Sequence, residues 1–251
     1  MVRIIMNGCN GKMGRVITEI VSKDDTCEIV AGVDLFEGIQ NDYPVFKSIK
    51  DCNVDADVVI DFTSAKAVDD LLVWCNEKKM PLVLCTTGLS EEQLLSVKEN
   101  SKDYAILRSA NMSLGINMLL KELKNVTSIL APAGFDIEIV EKHHNQKVDA
   151  PSGTALALAD SINDELNKEY EYVFERSQKR EKRSQKEIGI SAVRGGSIVG
   201  EHEVIFAGRD EVITITHTAY SKAIFANGAV AAAKFLAGKP AGMYDMSQVI
   251  D

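Results

Sequence analysis

Short apolar runs alternate with stretches of helical periodicity in the first part of the chain. The run VRIIM at 2–6 predicts a buried strand, and the apolar positions after it recur at helix spacing over 13–23. The same alternation predicts further strands over 28–34, 58–62, 81–85 and 104–107, with helices over 65–78 and from a capping box at Ser90 and Gln93. Such repetition is typical of a parallel sheet covered on both faces.

The pattern changes near Asn111. A long helix is predicted over 115–130, and a shorter one over 154–166. Alternating or β-branched runs predict strands over 135–141, 187–194, 198–206 and 211–220. This order indicates an α+β region with a mixed sheet that is open on one face. The Ala-rich stretch 222–236 predicts a last helix that could pack back on the first domain.

The segment 168–186 (KEYEYVFERSQKREKRSQK) is densely charged. We interpret it as a solvated loop or a frayed helix, because runs of charge usually face water. The alternative is a mobile lid over a site.

Composition narrows the class of protein. The chain has 251 residues, 45% hydrophobic and 26% charged, as expected for an ordinary globular protein. Its net charge of −9 argues against nonspecific binding to nucleic acid. No apolar run approaches the ~20 residues of a membrane span, and the N-terminal MVRIIMNG does not resemble a signal peptide.

The five cysteines are odd in number and lack CxxC spacing. This predicts neither a disulfide framework nor a zinc site. Reduced thiols in a cytoplasmic protein, with no metal, are the simplest interpretation.

Gly8, Gly11 and Gly14 lie between the first predicted strand and helix. Glycines there let the backbone approach a pyrophosphate at the helix N-terminus, although a plain tight turn would also use them. Asp34 ends the next strand, where an acid accepts hydrogen bonds from the adenosine ribose. Together they favour a dinucleotide site. The carboxylate of Asp34 favours NADH, but Lys12 and Arg15 could reach the extra phosphate of NADPH, so both cofactors stay open.

Two further strand ends, DFTS at 61–64 and CTTG at 85–88, should face the same crevice, because ligands bind outside the carboxyl ends of parallel strands. Their small side chains would leave room for a nicotinamide. A polar turn is the alternative interpretation of the second.

The stretch EKHHNQKVDAPSGTA at 141–155 gathers half of the four histidines. His143 and His144 end a predicted strand and should point to opposite sides. Lys147 follows, and Ser152 reads as the cap of a helix whose first amides belong to Gly153 and Thr154. A histidine, a lysine and free amides together make an anion site that can also donate protons.

This stretch, with GCNGKMG near the N-terminus, the central CTTG and the later RGGSIVGEHEVIF, closely resembles the 4-hydroxy-tetrahydrodipicolinate reductase family over nearly the whole chain. The resemblance implies an α/β fold with an N-terminal Rossmann-type parallel sheet over 1–110, to which 218–251 return. It further implies a second α+β domain over 111–217 that carries the open mixed sheet, binds the substrate and builds a homotetramer.

The resemblance also implies residue roles. His143 would be the acid/base residue and Lys147 the proton donor, while His144, Ser152, Gly153 and Thr154 would bind the carboxylates of a small cyclic dicarboxylate. NADH or NADPH would be held by Gly8, Cys9, Asn10, Gly11, Lys12, Met13, Asp34, Cys85, Thr86, Thr87, Ser109, Ala110, Asn111 and Met112.

Four features depart from the family pattern. Cys85 replaces a glycine, Met112 stands where an aromatic residue is common, and Leu35 stands where an arginine often follows the acid. The charged segment before Glu187 lacks glycines. Two other functions fit parts of the sequence: an amino-acid or oxo-acid dehydrogenase would explain the glycines and Asp34, and a nucleotide-sensing regulator could dispense with Lys147.

Overall fold

Residues 1–36, 38–177 and 179–250 are described by the computed structural model of the chain. The chain divides into two units, Met1–Leu114 with Ala223–Asp251, and Gly115–Lys222. The C-terminal segment therefore belongs with the first part of the chain.

The first unit is built on a parallel sheet of seven strands in the order β12-β6-β5-β4-β1-β2-β3. All of its pairings are parallel. The strands are β1 (Val2–Asn7), β2 (Cys27–Val33), β3 (Val45–Phe46), β4 (Val58–Asp61), β5 (Leu82–Leu84), β6 (Ala105–Leu107) and β12 (Gly242–Tyr244). The helices are α1 (Lys12–Val21), α2 (Ala65–Lys78), α3 (Glu91–Asn100) and α6 (Ala223–Leu236).

Helices cover both faces of this sheet, as the apolar strands require. Residues of α1 and α6, such as Ile17 and Val230, share one buried cluster with Ile4 and Ile60. Residues of α2 and α3, such as Trp74 and Val97, belong to a second cluster. The parallel sheet predicted from the sequence is thus confirmed, and α6 packs on it beside α1.

The second unit contains a mixed sheet of five strands in the order β11-β10-β7-β9-β8. Its strands are β7 (Asp136–His143), β8 (Glu171–Phe174), β9 (Glu187–Arg194), β10 (Gly200–Ala207) and β11 (Val212–Ala219). Two helices accompany them, α4 (Leu114–Leu130) and α5 (Gly153–Glu165). β7, β9 and β8 run parallel, whereas β10 is antiparallel to both of its neighbours.

One face of this mixed sheet is buried and the other is not. In β7 and β10 buried residues alternate with partly exposed ones, the pattern of a sheet covered on one side. Leu123 of α4 and Ile162 of α5 pack on the buried face with Ile139 and Val204. The predicted open mixed sheet is therefore confirmed.

The charged segment 168–186 differs from the prediction. It contains strand β8, which pairs with β9, and only Val173 of its four residues is buried. Arg183 reaches Asp136 and Glu138, and Arg176 reaches Glu187. The interpretation as a loop or frayed helix was wrong for β8, because pairing with a neighbouring strand outweighs local charge. Gln178 lies outside the described residues.

Besides β8, three shorter elements were not predicted: β3, β12 and a 3₁₀ turn at Ile49–Asp51. Each has only two or three residues, too few for a periodic signal. In the described part of the chain, no helix is long and apolar enough to cross a membrane.

Gly228 of α6 allows this helix to approach the backbone closely. A Cβ atom there would lie 1.6 Å from the carbonyl oxygen of Met112. We expect Gly228→Ala to lower the free energy of unfolding of the first unit by about 1–3 kcal/mol through overpacking. Urea unfolding followed by the fluorescence of Trp74, the chain's only tryptophan, measures this. Asn227→Ala, on an exposed position of the same helix, is the control; equal midpoints for the two variants would contradict the expectation.

Candidate functional site

The glycine turn between β1 and α1 presents free backbone amides. Gly8 has a φ of +85°, and a Cβ atom there would lie 2.6 Å from the carbonyl oxygen of Phe62, so a larger residue would be strained. Gly11 is the N-cap of α1 and provides no side-chain cap. The first amides of α1, from Lys12 and Met13 onward, are thus left for an anion.

Hydrogen bonds accepted by the Asp34 carboxylate connect the loop after β2 to this glycine turn. One carboxylate oxygen accepts the backbone N–H of Asn10, and the other accepts that of Phe36, both at 2.9 Å. The side chain of Asn10 also donates to the carbonyl of Phe36 and accepts from Asn41. Each carboxylate oxygen can accept a second hydrogen bond, so Asp34 retains capacity for the hydroxyls of a ribose.

A second carboxylate, Asp61, orders the neighbouring strand ends and is fully buried. It accepts hydrogen bonds from Asn7 Nδ2 at 2.8 Å, Thr63 Oγ1 at 2.8 Å and Thr86 Oγ1 at 2.6 Å. Burial raises the pKa of Asp61, although these donors oppose that rise.

The hydroxyl of Thr86 is therefore already occupied. It donates to Asp61 and accepts the backbone N–H of Thr63 at 3.0 Å, and the residue is buried whereas Thr87 is exposed. Of this pair, Thr87 offers the hydroxyl that faces solvent.

The remaining predicted nucleotide residues have mixed surroundings. Cys9 is buried, and burial together with Asp34 raises the pKa of its thiol to about 11. Cys85 is partly buried, and burial also raises the pKa of its thiol. Met112 belongs to the core, Ala110 is exposed, Ser109 is partly buried, and Asn111 accepts the backbone N–H of Ser113.

In the second unit, the candidate site surrounds Glu141 at the end of β7. Its carboxylate has no exposure to solvent. It accepts two hydrogen bonds from Arg194, at 2.6 and 2.7 Å, one from His143 Nδ1 at 2.6 Å and one from the backbone N–H of Ser152 at 2.9 Å. Burial opposes ionisation, but these donors outweigh it and hold the pKa of Glu141 below its usual value.

Ser152 caps helix α5 as predicted. Its hydroxyl accepts the backbone N–H of Ala155 at 3.1 Å and lies 3.0 Å from Nε2 of His202. No acidic residue occupies the first turn of α5, and Gly153 there is exposed. The first turn of α5 thus carries no negative side chain of its own, and the positive end of the helix dipole there favours an anion.

His144 and Lys147 lie in the loop between β7 and α5. Nδ1 of His144 is buried with no hydrogen-bond partner among the described residues. The Lys147 ammonium forms an ion pair with Asp149 at 2.9 Å, which holds the pKa of that carboxyl below its usual range. The adjacent histidines thus have different surroundings, since His143 belongs to the Glu141 cluster.

The structure adds Glu141 and His202 to the site, and it pairs Arg194, whose charge the sequence suggests for the substrate, with Glu141 instead. Glu141 precedes His143 by two positions, so strand alternation puts both on one face. His202 is a buried polar residue in an otherwise apolar strand face, and its ring lies 5.2 Å from that of His143 in a T-shaped arrangement. Arg194 pairs with His143 in the β7–β9 register, a contact that depends on strand pairing.

The strand order of the first unit and the residues at its glycine turn together define a class of protein. A parallel sheet in this strand order, with a glycine turn and an acid after the second strand, is the framework of dinucleotide-dependent oxidoreductases. The chain matches the family models "Dihydrodipicolinate reductase, N-terminus" over residues 2–112 and "Dihydrodipicolinate reductase, C-terminus" over residues 115–250. It therefore belongs to the dihydrodipicolinate reductase family.

Relatives agree with this family. The chain is 53% identical to the 4-hydroxy-tetrahydrodipicolinate reductase of Clostridium tetani, covering 100% of this chain and 98% of that protein. It is 52% identical to that of Caldanaerobacter subterraneus over the same shares. A solved structure of dipicolinate-bound dihydrodipicolinate reductase from Paenisporosarcina sp. TG-14 matches the fold with a TM-score of 0.79 and 23% identity, covering 98% of this chain and 97% of that one.

His202 makes the stability of the chain depend on pH. Burial, followed by the neighbouring His143, lowers the pKa of His202 from 6.5 to about 4. Below pH 6.5 the unfolded chain takes up a proton that the folded chain does not, so the free energy of unfolding falls with pH. Between pH 6.5 and pH 5 this amounts to roughly 2 kcal/mol. Denaturant unfolding followed by circular dichroism should show a loss that is smaller by this amount in His202→Gln than in the parent, where burial also lowers the pKa of His217; the same loss in both would contradict it.

Proposed function

We propose that this chain catalyses the NAD(P)H-dependent reduction of 4-hydroxy-tetrahydrodipicolinate to tetrahydrodipicolinate, in which the ring loses its hydroxyl group as one water and gains a hydride and a proton, a step in diaminopimelate and lysine biosynthesis. The observation that carries the proposal is the cluster at the end of β7, where an oriented His143, Lys147 and the first amides of α5 occur together. The full-length relatives named for this activity support it.

The residues of the first unit fit a pyridine nucleotide. The uncapped start of α1 suits a pyrophosphate, and Asp34 suits the adenosine ribose. When bound, the reduced nicotinamide supplies a hydride. We assign the pyrophosphate to residues 8–13 and the nicotinamide end to Cys85, Thr86, Thr87 and residues 109–112, with Thr86 acting through its backbone because its hydroxyl is occupied.

The residues of the second unit supply positive potential and protons. A ring that carries two carboxylates needs local positive potential in a chain of net charge −9. Lys147, His144 and the amides of Gly153 and Thr154 provide it, while Ser152 fixes the start of the helix. Hydride addition raises the electron density on the ring. A nearby ammonium stabilises this density and then donates its proton to the ring. In this scheme the Lys147 ammonium leaves its ion pair with Asp149 and forms one with a substrate carboxylate.

The proposal also covers the role of each part of the chain, its assembly into a homotetramer and its cellular compartment. We assign nucleotide binding to 1–110 with 218–251, and substrate binding and homotetramer formation to 111–217. The open face of the second unit's sheet supports the latter, since it carries the ion pairs of Lys142 with Glu201 and Glu203 beside apolar residues such as Ile205. The five cysteines are free thiols, which supports a cytoplasmic enzyme.

Lys147→Ala tests the function directly. We expect turnover to fall by about a hundredfold or more, because a general acid is lost. The substrate is generated by the preceding synthase, and the loss of NADH or NADPH absorbance is followed. Lys168→Ala, which removes an exposed lysine of the same unit, is the control and should retain turnover. An inactive parent would reject the proposed function; an active Lys147→Ala variant would reject only the role of Lys147.

Asp34 and its neighbours favour NADH over NADPH. The carboxylate would repel a ribose phosphate, and the exposed Leu35 and Phe36 offer no charge to bind it. We therefore expect Leu35→Arg to raise the kcat/KM ratio of NADPH to NADH by about tenfold, equivalent to 1.4 kcal/mol. Val73→Arg adds the same charge at an exposed position of α2 and should leave the ratio unchanged. A parent that prefers NADPH would overturn this assignment.

A further inference from the structure

Glu141 joins three parts of the second unit through one buried carboxylate. It lies on β7 and accepts hydrogen bonds from His143 on the same strand, Arg194 at the end of β9 and the backbone of Ser152 at the start of α5. We propose that Glu141 and Arg194 are positioning residues for the reduction: they fix the ring of His143 with Nδ1 occupied and Nε2 left for the reacting atoms. This inference rests on the proposed function.

The bond between Glu141 and His143 determines the ring's protonation pattern. An ionised carboxylate can only accept hydrogen bonds, so Nδ1 of His143, 2.6 Å away, must carry a proton. In the neutral ring the other nitrogen, Nε2, is then the one that accepts a proton. A carboxylate that holds a histidine in one tautomer acts in the same way in Ser-His-Asp triads.

Arg194 keeps this carboxylate ionised and in place. Both of its terminal nitrogens bond to Glu141, one to each oxygen, the bidentate geometry that arginine favours. The same guanidinium also donates to the carbonyl of Asp149 at 2.7 Å. Arg194 therefore ties the loop that contains Lys147 to the strand that contains His143. The sequence alone suggests instead that its charge could serve the substrate.

Nε2 of His143 lies close to position 200 on β10, where only a glycine leaves room for the ring. A Cβ atom at position 200 would lie 3.1 Å from Nε2 of His143, and glycine occupies that position. The nearest aromatic neighbour is His202, whose lowered pKa keeps it neutral above pH 5. The ring of His143 is thus fixed by Glu141 on one edge, while its Nε2 edge borders a residue without a side chain.

Histidine-selective ¹⁵N NMR on the intact parent protein tests this arrangement. The chain has four histidines, and the His143→Gln variant assigns the signal of interest. The neutral ring of His143 should show a protonated Nδ1 and a bare Nε2. A protonated Nε2 in the parent protein would overturn the inference, whether or not the protein reduces the substrate.

Glu141→Gln tests the consequence for catalysis. Arg194 would keep the amide oxygen, so the amide N–H groups would face Nδ1 and move the ring proton to Nε2. We expect kcat to fall by at least about a hundredfold, as when the triad acid becomes an amide, while the KM for NADH stays within a factor of about two. Glu138→Gln is the matched control, since Glu138 is also on β7 and paired with an arginine, Arg183; it should keep kcat and the tautomer.

A double variant covers the case in which Glu141→Gln does not fold. Glu141→Met with Arg194→Met removes both charges at similar volume, which proteins often tolerate. Loss of kcat and of the protonated Nδ1 in either folded variant supports the inference. Parent-like kcat with an unchanged tautomer would overturn it while the proposed function stands, and an inactive parent would reject the proposed function instead.

Discussion

The arrangement of the second unit depends on the satisfaction of one buried charge. Glu141 has no contact with water, so its carboxylate is stable only if protein donors replace the solvent. Four hydrogen bonds, two of them from a guanidinium, meet that requirement. Because the donors come from β7, β9 and α5, meeting it also brings the proposed acid/base residue and the proposed anion-binding amides to one place.

The first unit uses a buried carboxylate in a different way. Asp61 also orders strand ends, but its side-chain donors are the neutral groups of Asn7, Thr63 and Thr86. Without a cationic donor, burial raises the pKa of Asp61, whereas Arg194 helps to lower that of Glu141. The two carboxylates thus show how the neighbouring donors set the balance between desolvation and charge. Only Glu141 is held as an anion beside a titratable ring.

Periodicity in the sequence predicted most of the fold, because long helices and buried strands carry a strong local signal. The helix predicted over 13–23 is α1 at Lys12–Val21, and the strand predicted over 187–194 is β9. Strand β8 was missed because only Val173 is buried in it, and its stability comes from pairing with β9. In such places tertiary contacts outweigh local composition.

The sequence predicted only some residues of the candidate site, because it shows local motifs but not contacts between distant strands. His143, Lys147 and Ser152 are close in sequence, so a local motif revealed them. The alternation of strand residues could also have revealed Glu141, two positions before His143. Arg194 could not be placed from the sequence, since its contact with Glu141 requires the register in which His143 pairs with Arg194 across β7 and β9.

In the proposed reaction, a reduced pyridine nucleotide bound by the first unit reduces a cyclic dicarboxylate bound by the second. The most direct test of this reaction uses NADH that carries deuterium at the transferable position, with substrate made by the preceding synthase and the product analysed by mass spectrometry. We expect the product to carry the deuterium label, in an amount that matches the nucleotide consumed. Nucleotide oxidation with an unlabelled product, or no oxidation in the presence of the dicarboxylate, would contradict it.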